Sequence, residues 1–376
     1  MNAAALRARW RWAIVTCGAG LLCATPAIVA AVPVPGSALA PAALRARILA
    51  SAAVGYQGYA ESTADLGLPK LPDLGDVSTL LDGVTDQYVW YRSAAHWRAD
   101  TLTTAGEDDV YQVGRETFLW NYTANLLTRV VGSQPVRLPR AADLLPPALA
   151  TRLLRLAAPD DHLSRLPSAR VAGVDAAGLR LVPANPATTV GAIDIWADPA
   201  SGLPVEVEIL ARGAGQPVLV AKFLQVSQHR PALATVIPHP APGVDQVTAR
   251  LSSLNGILNG GRAHPWPPEL GGFRLTFTTG LLTGVAFYGS GFARLALVPL
   301  PGRTGSQVVS AATSAGAAKI TLPGGSAVLV RTPLLTVVLA TSPRFGGLTF
   351  LFAGPVTAAA LEQAAGGLLA LIAGAR

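Results

Sequence analysis

From residue 87 onward, short runs of alternating apolar and polar residues follow one another with almost nothing between them. QYVWYRSAAHWRADTL turns at Ser93-Ala94-Ala95 and is followed by the acidic turn Gly106-Glu107-Asp108-Asp109. DVYQVGRETFLWNYTANLLTRVV turns again at Val113-Gly114-Arg115 and Thr123-Ala124-Asn125. Connections this short leave no room for a helical crossover, so the four strands they join must pair antiparallel. In FLWNYTANLLTRV, Phe118, Trp120 and Tyr122 fall at every second position and so share one face.

The pattern resumes downstream. RVAGVDAAGLRLVP, VGAIDIWADPASGLPVEVEIL and PVLVAKFLQV are alternating runs broken by Asp-Ala-Ala-Gly and Asp-Pro-Ala-Ser-Gly turns. Alternation sets Asp194, Glu206 and Glu208 on a wet face and Ile193, Ile195, Val205, Val207 and Ile209 on the other, which needs cover. Two helices are placed to supply it. Residues 41 to 54 have Pro41 in the first turn and Leu44, Ile48 and Ala52 at helical spacing, and PPALATRLLRLAA over 146 to 158 has a Pro-start and leucines at helical spacing. Tyr56 to Ala64 reads as a first strand and DLGLPKLPDLGD as a loop. Roughly eight to ten antiparallel strands with two helices predict an α+β fold, a strongly curved sheet whose concave side receives the helices. Residues 231–268, rich in Pro and Gly, read as a linker with one short helix; 269–376, with further strands and the closing helix TAAALEQAAGGLLALIA, read as a smaller α+β domain.

The N-terminus carries an address. Arg7, Arg9 and Arg11 precede an uncharged apolar stretch from Ala13 to Val34, the order of an export signal or membrane anchor, with Ala38-Leu39-Ala40 as a small-x-small cleavage site. Residues 1–40 are therefore expected to be a signal peptide or anchor, and the remainder to lie outside the cytoplasm, tethered or, if cleaved, secreted. Both cysteines, Cys17 and Cys23, sit inside that stretch, so the exported part must fold without disulfides. The net charge of +7 does not point to nucleic acid, because the arginines are scattered and no basic run alternates with aromatics.

These features resemble a known family. The helix and first strand ALRARILASAAVGYQGYAES, the hairpin FLWNYTANLLTRV after VGRE, and the turn from Asp198 to Pro204 are similar to the LolA-like lipoprotein carriers and the related RseB-like regulators of sigma-E, most closely their actinobacterial branch. The resemblance covers residues 41–230 and implies an unclosed half β-barrel wrapped over helices that binds an acyl chain in its apolar concavity. It alternatively implies a two-domain envelope-stress sensor whose C-terminal unit contacts a membrane anti-sigma factor.

Enzymatic chemistry has little to stand on. No Gly-Lys-Ser/Thr phosphate loop and no zinc-type Cys or His-Glu-x-x-His spacing occurs, and Tyr288 before Gly289-Ser290-Gly291 breaks the nucleophile-elbow pattern. Asp160-Asp161-His162 are three adjacent ligand types that converge poorly on one ion, with Asp160 placed to cap a turn. Glu107-Asp108-Asp109 reads as a solvated turn. No cofactor or metal is expected. The expected ligand-binding residues are Phe118, Trp120, Tyr122, Ile193, Ile195, Val205 and Val207, lining a cleft for a lipid or lipoprotein acyl chain. The competing reading makes the three rings core residues packed on the helix over 146–158.

Overall fold

The computed structural model describes residues 33–67, 79–132, 139–250, 266–278, 284–300, 302–342 and 348–374. All but the end of the N-terminal apolar stretch, and most of the loop expected over 65–76, lie outside the described residues.

Helix α1 (Pro41–Ala50) begins with proline, whose missing N–H costs nothing in a first turn, and buries Leu44 and Ile48. A 3₁₀ turn (Ser51–Ala53) leads into β1 (Tyr56–Asp65). Five strands follow, the number that four turns join, where four were expected: β2 (Asp82–Ser93), β3 (His96–Thr103), β4 (Gly106–Val113), β5 (Glu116–Asn121) and β6 (Leu126–Val131). The turn before β4 is Thr104–Ala105, so Glu107, Asp108 and Asp109 belong to a strand rather than a solvated turn, and Asp109 is 1% exposed. Helix α2 (Pro146–Leu156) precedes β7 (His162–Val171), β8 (Val174–Val182), β9 (Val190–Ala197), β10 (Pro204–Ala211) and β11 (Pro217–Ser227).

The segment read as a linker does more than connect. It forms a 3₁₀ turn (Leu233–Val236) and then β12 (Asp245–Arg250), which pairs parallel to β6 and completes a 12-stranded sheet in the order β12-β6-β5-β4-β3-β2-β1-β11-β10-β9-β8-β7. Its two ends do not pair with each other, so this is an unclosed half-barrel. On the helix side, Leu179, Ile193, Ile195 and Val207 meet Leu44 and Ile48 of α1 and Leu149 and Leu154 of α2. Each fully buried Leu or Ile there contributes about 1.5–3 kcal/mol. Over β8 to β10 the opposite, convex face is polar, though not uniformly wet: Asp194 is 3% exposed, covered by Arg180 bonding both its oxygens at 2.7 and 2.5 Å.

A second, 8-stranded antiparallel sheet contains β13 (Glu269–Leu270), β14 (Phe273–Thr278), β15 (Ala286–Ser290), β16 (Ala293–Leu300), β17 (Ala318–Leu322), β18 (Gly325–Arg331), β19 (Thr336–Thr341) and β20 (Thr349–Gly354). Helix α3 (Gly302–Ser314), which the sequence pattern does not announce, packs Ala312 on Val328 and Leu339. Helix α4 (Ala358–Gly374) buries Leu361, Leu368 and Leu369 on the other side. Among the described residues no helix is long and apolar enough to cross a membrane. The sheets dock through the loop after β8: the Thr188 hydroxyl reaches the carbonyls of Phe292 and Pro355, Thr189 Oγ1 donates to Leu334 O at 2.6 Å, and Phe292 and Leu334 enter the core under α1 and α2.

Candidate ligand groove

Between the concave face and α2 runs a groove of about 540 Å³. Its floor is aromatic and aliphatic: Tyr56 from β1, Val89 and Tyr91 from β2, and Trp97 from β3. Gln112 and Thr117 continue it across β4 and β5, and Leu145, Ala148 and Leu156 form the facing wall. Tyr56 stacks on Tyr91 with ring centroids 5.0 Å apart and meets Phe223 edge-on at 5.8 Å, which fixes the floor's shape. The Tyr91 hydroxyl donates to Ala52 O at 2.9 Å, turning its polar end towards the helix. Burial pushes both tyrosines above the usual phenol range, so they remain neutral.

The rim is basic. Arg140, Arg152 and Arg155 border the opening. Asp143 bonds the Arg140 backbone N–H at 2.9 Å and lies 3.9 Å from Arg152. Arg155 has no ion-pair partner among the described residues and projects into solvent from the last turn of α2. An apolar trough with a guanidinium rim suits an amphiphile whose tail is aliphatic and whose head accepts hydrogen bonds or carries negative charge. Asp161, just before β7, is a loop staple that accepts from Ala158 N at 2.8 Å and Ala184 N at 2.9 Å, the capping role expected of its neighbour Asp160.

The seven residues expected to bind a ligand fall into three places. Thr117 lines the groove, so Phe118 and Trp120, at odd offsets from it, point to the convex face, where Trp120 pairs across from Asp109. There Trp120 packs with Tyr111 and Leu127, and Tyr122, 42% exposed in the turn after β5, stacks on it at 4.7 Å. No residue of α2 belongs to this cluster, so the rings do not cover that helix either. Ile193, Ile195 and Val207 lie at 0% exposure under the helices, and Val205 packs behind the floor beside Tyr56 and Val89. None of the seven lines the groove. The residues that do, Tyr56, Tyr91, Trp97 and Arg155, were within reach of the sequence only as aromatic strand positions and a helix-end arginine. With Tyr88 and Trp90 alternating against Val89 and Tyr91, both faces of β2 are aromatic and period two cannot choose between them.

The Asp198 to Pro204 turn has a structural task. Gly202, at φ +75°, lies against the Arg47 carbonyl at the end of α1, where any Cβ would collide. Arg47 Nη1 donates to Pro199 O, while Gln228 and Ser201 bond the Asp198 carboxylate at 2.7 and 2.6 Å. The turn thus seats α1 on the sheet.

No family model matches this chain, and no curated protein matches it. Among solved structures it is similar to MucB in complex with MucA(peri), with a TM-score of 0.50 at 16% identity over 87% of this chain and 98% of that one. The Pseudomonas aeruginosa MucA/MucB complex gives a TM-score of 0.49 at 17% identity over 86% and 95% of the two chains. A LolA superfamily protein from Nitrosomonas europaea gives 0.24 at 11% identity, covering 54% of this chain and 99% of that one. The likeness to MucB, over 87% of this chain, is one of fold.

Proposed function

We propose that this chain is an exported, non-enzymatic envelope protein that takes the acyl chain of a lipid or lipoprotein into the groove between its half-barrel and α2. The observation that carries this reading is the groove itself: aromatic floor, aliphatic wall and arginine rim enclose about 540 Å³. Export rests on Arg7, Arg9 and Arg11 before the apolar stretch, and that stretch is the proposed tether. In this reading residues 41–230 form the ligand-binding unit and 269–376 the accessory one. The test is uptake of a fluorescent fatty acid by the purified full chain, with native lipid sought by mass spectrometry. Ala148, exposed on the groove wall, is the control position, since Ala148→Trp should fill the trough and abolish uptake while the melting temperature holds. Absence of both bound lipid and uptake would sink the proposal.

A second reading is favoured by the two-sheet likeness to MucB, a protein solved with MucA(peri) bound. Here the chain is an RseB-like stress sensor that regulates a membrane anti-sigma factor through its second sheet. Crosslinking in intact cells followed by pull-down should recover a membrane regulator; its absence, with lipid uptake intact, leaves the carrier-like reading alone.

A further inference from the structure

A second group of titratable side chains lies across the sheet from the groove. On the convex face the strand register sets Trp90 beside Arg98, Arg98 beside Tyr111, and Asp100 beside Asp109. Arg98 Nε donates to Asp100 Oδ1 at 2.5 Å and Nη2 to Asp109 Oδ2 at 3.0 Å, with Glu107 3.5 Å away. The Tyr111 hydroxyl donates to Asp109 Oδ2 at 2.9 Å, and the guanidinium stands 5.1 Å from the ring centres of both Trp90 and Tyr111. One cation therefore serves three carboxylates whose oxygens lie within 4.8 Å of one another. Asp100 and Asp109 are 2% and 1% exposed, and Asp109 Oδ1 is buried with no hydrogen-bond partner. An ionised carboxylate oxygen left so is costly, whereas one sharing a proton with a neighbouring acid is satisfied. Arg98 already occupies the space among the three acids, so a proton fits where a metal ion does not.

The chain leaving β11 crosses this same face. Pro231 O accepts from Arg92 Nη1 at 2.7 Å, the 3₁₀ turn Leu233–Val236 lies beside β2, β3 and β4, and Val244 packs on the Tyr111–Trp120–Leu127 cluster. Asn125 ties down the far end, donating from Nδ2 to Gly243 O at 2.9 Å and accepting from Asp245 N at 3.1 Å. This strap is part of the connection from the first sheet to the second.

We propose that Asp100, Glu107 and Asp109 share a proton around Arg98, and that its loss loosens the strap over residues 228–250 from the convex face. The groups facing the shared proton are Tyr88 from β2, Arg98 and Asp100 from β3, Glu107, Asp109 and Tyr111 from β4, and Tyr122 after β5. The strap carries His229, Arg230, His239 and Asp245, and no hydrogen bond or ion pair among the described residues joins them to the acids. Burial outweighs Arg98 and pushes the Asp100 carboxyl up to about 8 and that of Asp109 up to about 6, so the folded state binds the proton more tightly than the unfolded chain does. The hold is therefore complete below the ordinary carboxylate value of 3.8 and is lost as the pair titrates together, between about 6 and about 8.

The experiment is hydrogen exchange on the full chain across about pH 5 to about pH 9, corrected for intrinsic rates, where one linked proton changes the opening equilibrium about tenfold per pH unit. Protection of the strap and β12 amides should fall through that window while protection of β8 to β10 stays flat. Asp100→Asn combined with Asp109→Asn mimics the protonated acids and should abolish the pH dependence. Should that pair fail to fold, Glu107→Gln, on the partly exposed acid, should shift the midpoint to lower pH by removing a like charge. An infrared band of a protonated carboxyl near neutral pH should disappear in Asp100→Asn. A pH-independent strap, an unshifted midpoint in Glu107→Gln, or protection restored by calcium instead of acid overturns the proposal.

Discussion

Trp120 is held by its protein neighbours. It is 8% exposed, stacked on Tyr122 and packed with Tyr111 and Leu127, on the face of β5 turned away from the groove. Trp120→Ala should accordingly cost about 3–5 kcal/mol in urea unfolding, the sum of lost transfer energy and a residual cavity. Fatty-acid uptake by the folded variant should equal that of the wild type. Reduced uptake at full folding would place the rings back in a binding role. Arg155 offers the opposite test: it is exposed, so Arg155→Ala should leave stability within about 0.5 kcal/mol. Its loss should weaken binding of a fatty acid, but not of its methyl ester, by roughly 0.2–1 kcal/mol, the scale of an exposed ion pair. Which face the rings of β5 take was not legible in the sequence. Thr117 and Leu119 make the other face of this short strand apolar enough to serve equally, and what decides is Val244, arriving from a segment whose Pro and Gly content reads as mere connection.

At the scale of elements, α2 performs two tasks with two faces. Leu149 and Leu154 enter the core beneath the sheet, while Ala148, Arg152 and Arg155 face the groove or its rim. Leu154→Ala, at 0% exposure, should therefore cost about 2–5 kcal/mol in denaturant unfolding. Uptake measured where the variant is still fully folded should remain. Both α1 and α2 were readable because proline starts and leucine spacing are local signals. So was the Asp198 to Pro204 turn, whose purpose only α1's position reveals. β12 and α3 were not readable for different reasons. β12 owes its state to a parallel partner more than a hundred residues earlier in the chain, and α3, GRTGSQVVSAATS, is too rich in Gly, Ser and Thr for periodicity to stand out. Its buried face is small: Gly305 and Ala312, with Val308 and Val309 partly buried beside Val328 and Leu339.

At the scale of the whole molecule, two sheets were expected from the strand runs, but their docking could not be, because it is made by loops. Thr188 is fully buried between Phe292 O and Pro355 O, Thr357 N bonds Ala187 O at 2.8 Å, and Phe292 and Leu334 fill the first sheet's core from the second. Gly291, beside Phe292, faces the end of α2, where a side chain in its place would press on Leu156 O. The wall of the groove therefore rests on the second sheet, and the two units should melt together although each has its own core. Scanning calorimetry of the full chain is expected to show one cooperative transition. Thr188→Val keeps the shape but leaves two buried carbonyls without the hydroxyl, an expected loss of about 1–3 kcal/mol. Phe292→Ala is the sharper variant. Removing its ring takes about 3–5 kcal/mol out of the shared core, while β15 and β16 keep their own packing through Tyr288, Leu295 and Leu297. The single transition should then split, the first sheet melting at lower temperature and the second near its original one. A lone transition that merely shifts downward would mean that Thr188, Thr189 and Leu334 suffice to couple the sheets without Phe292.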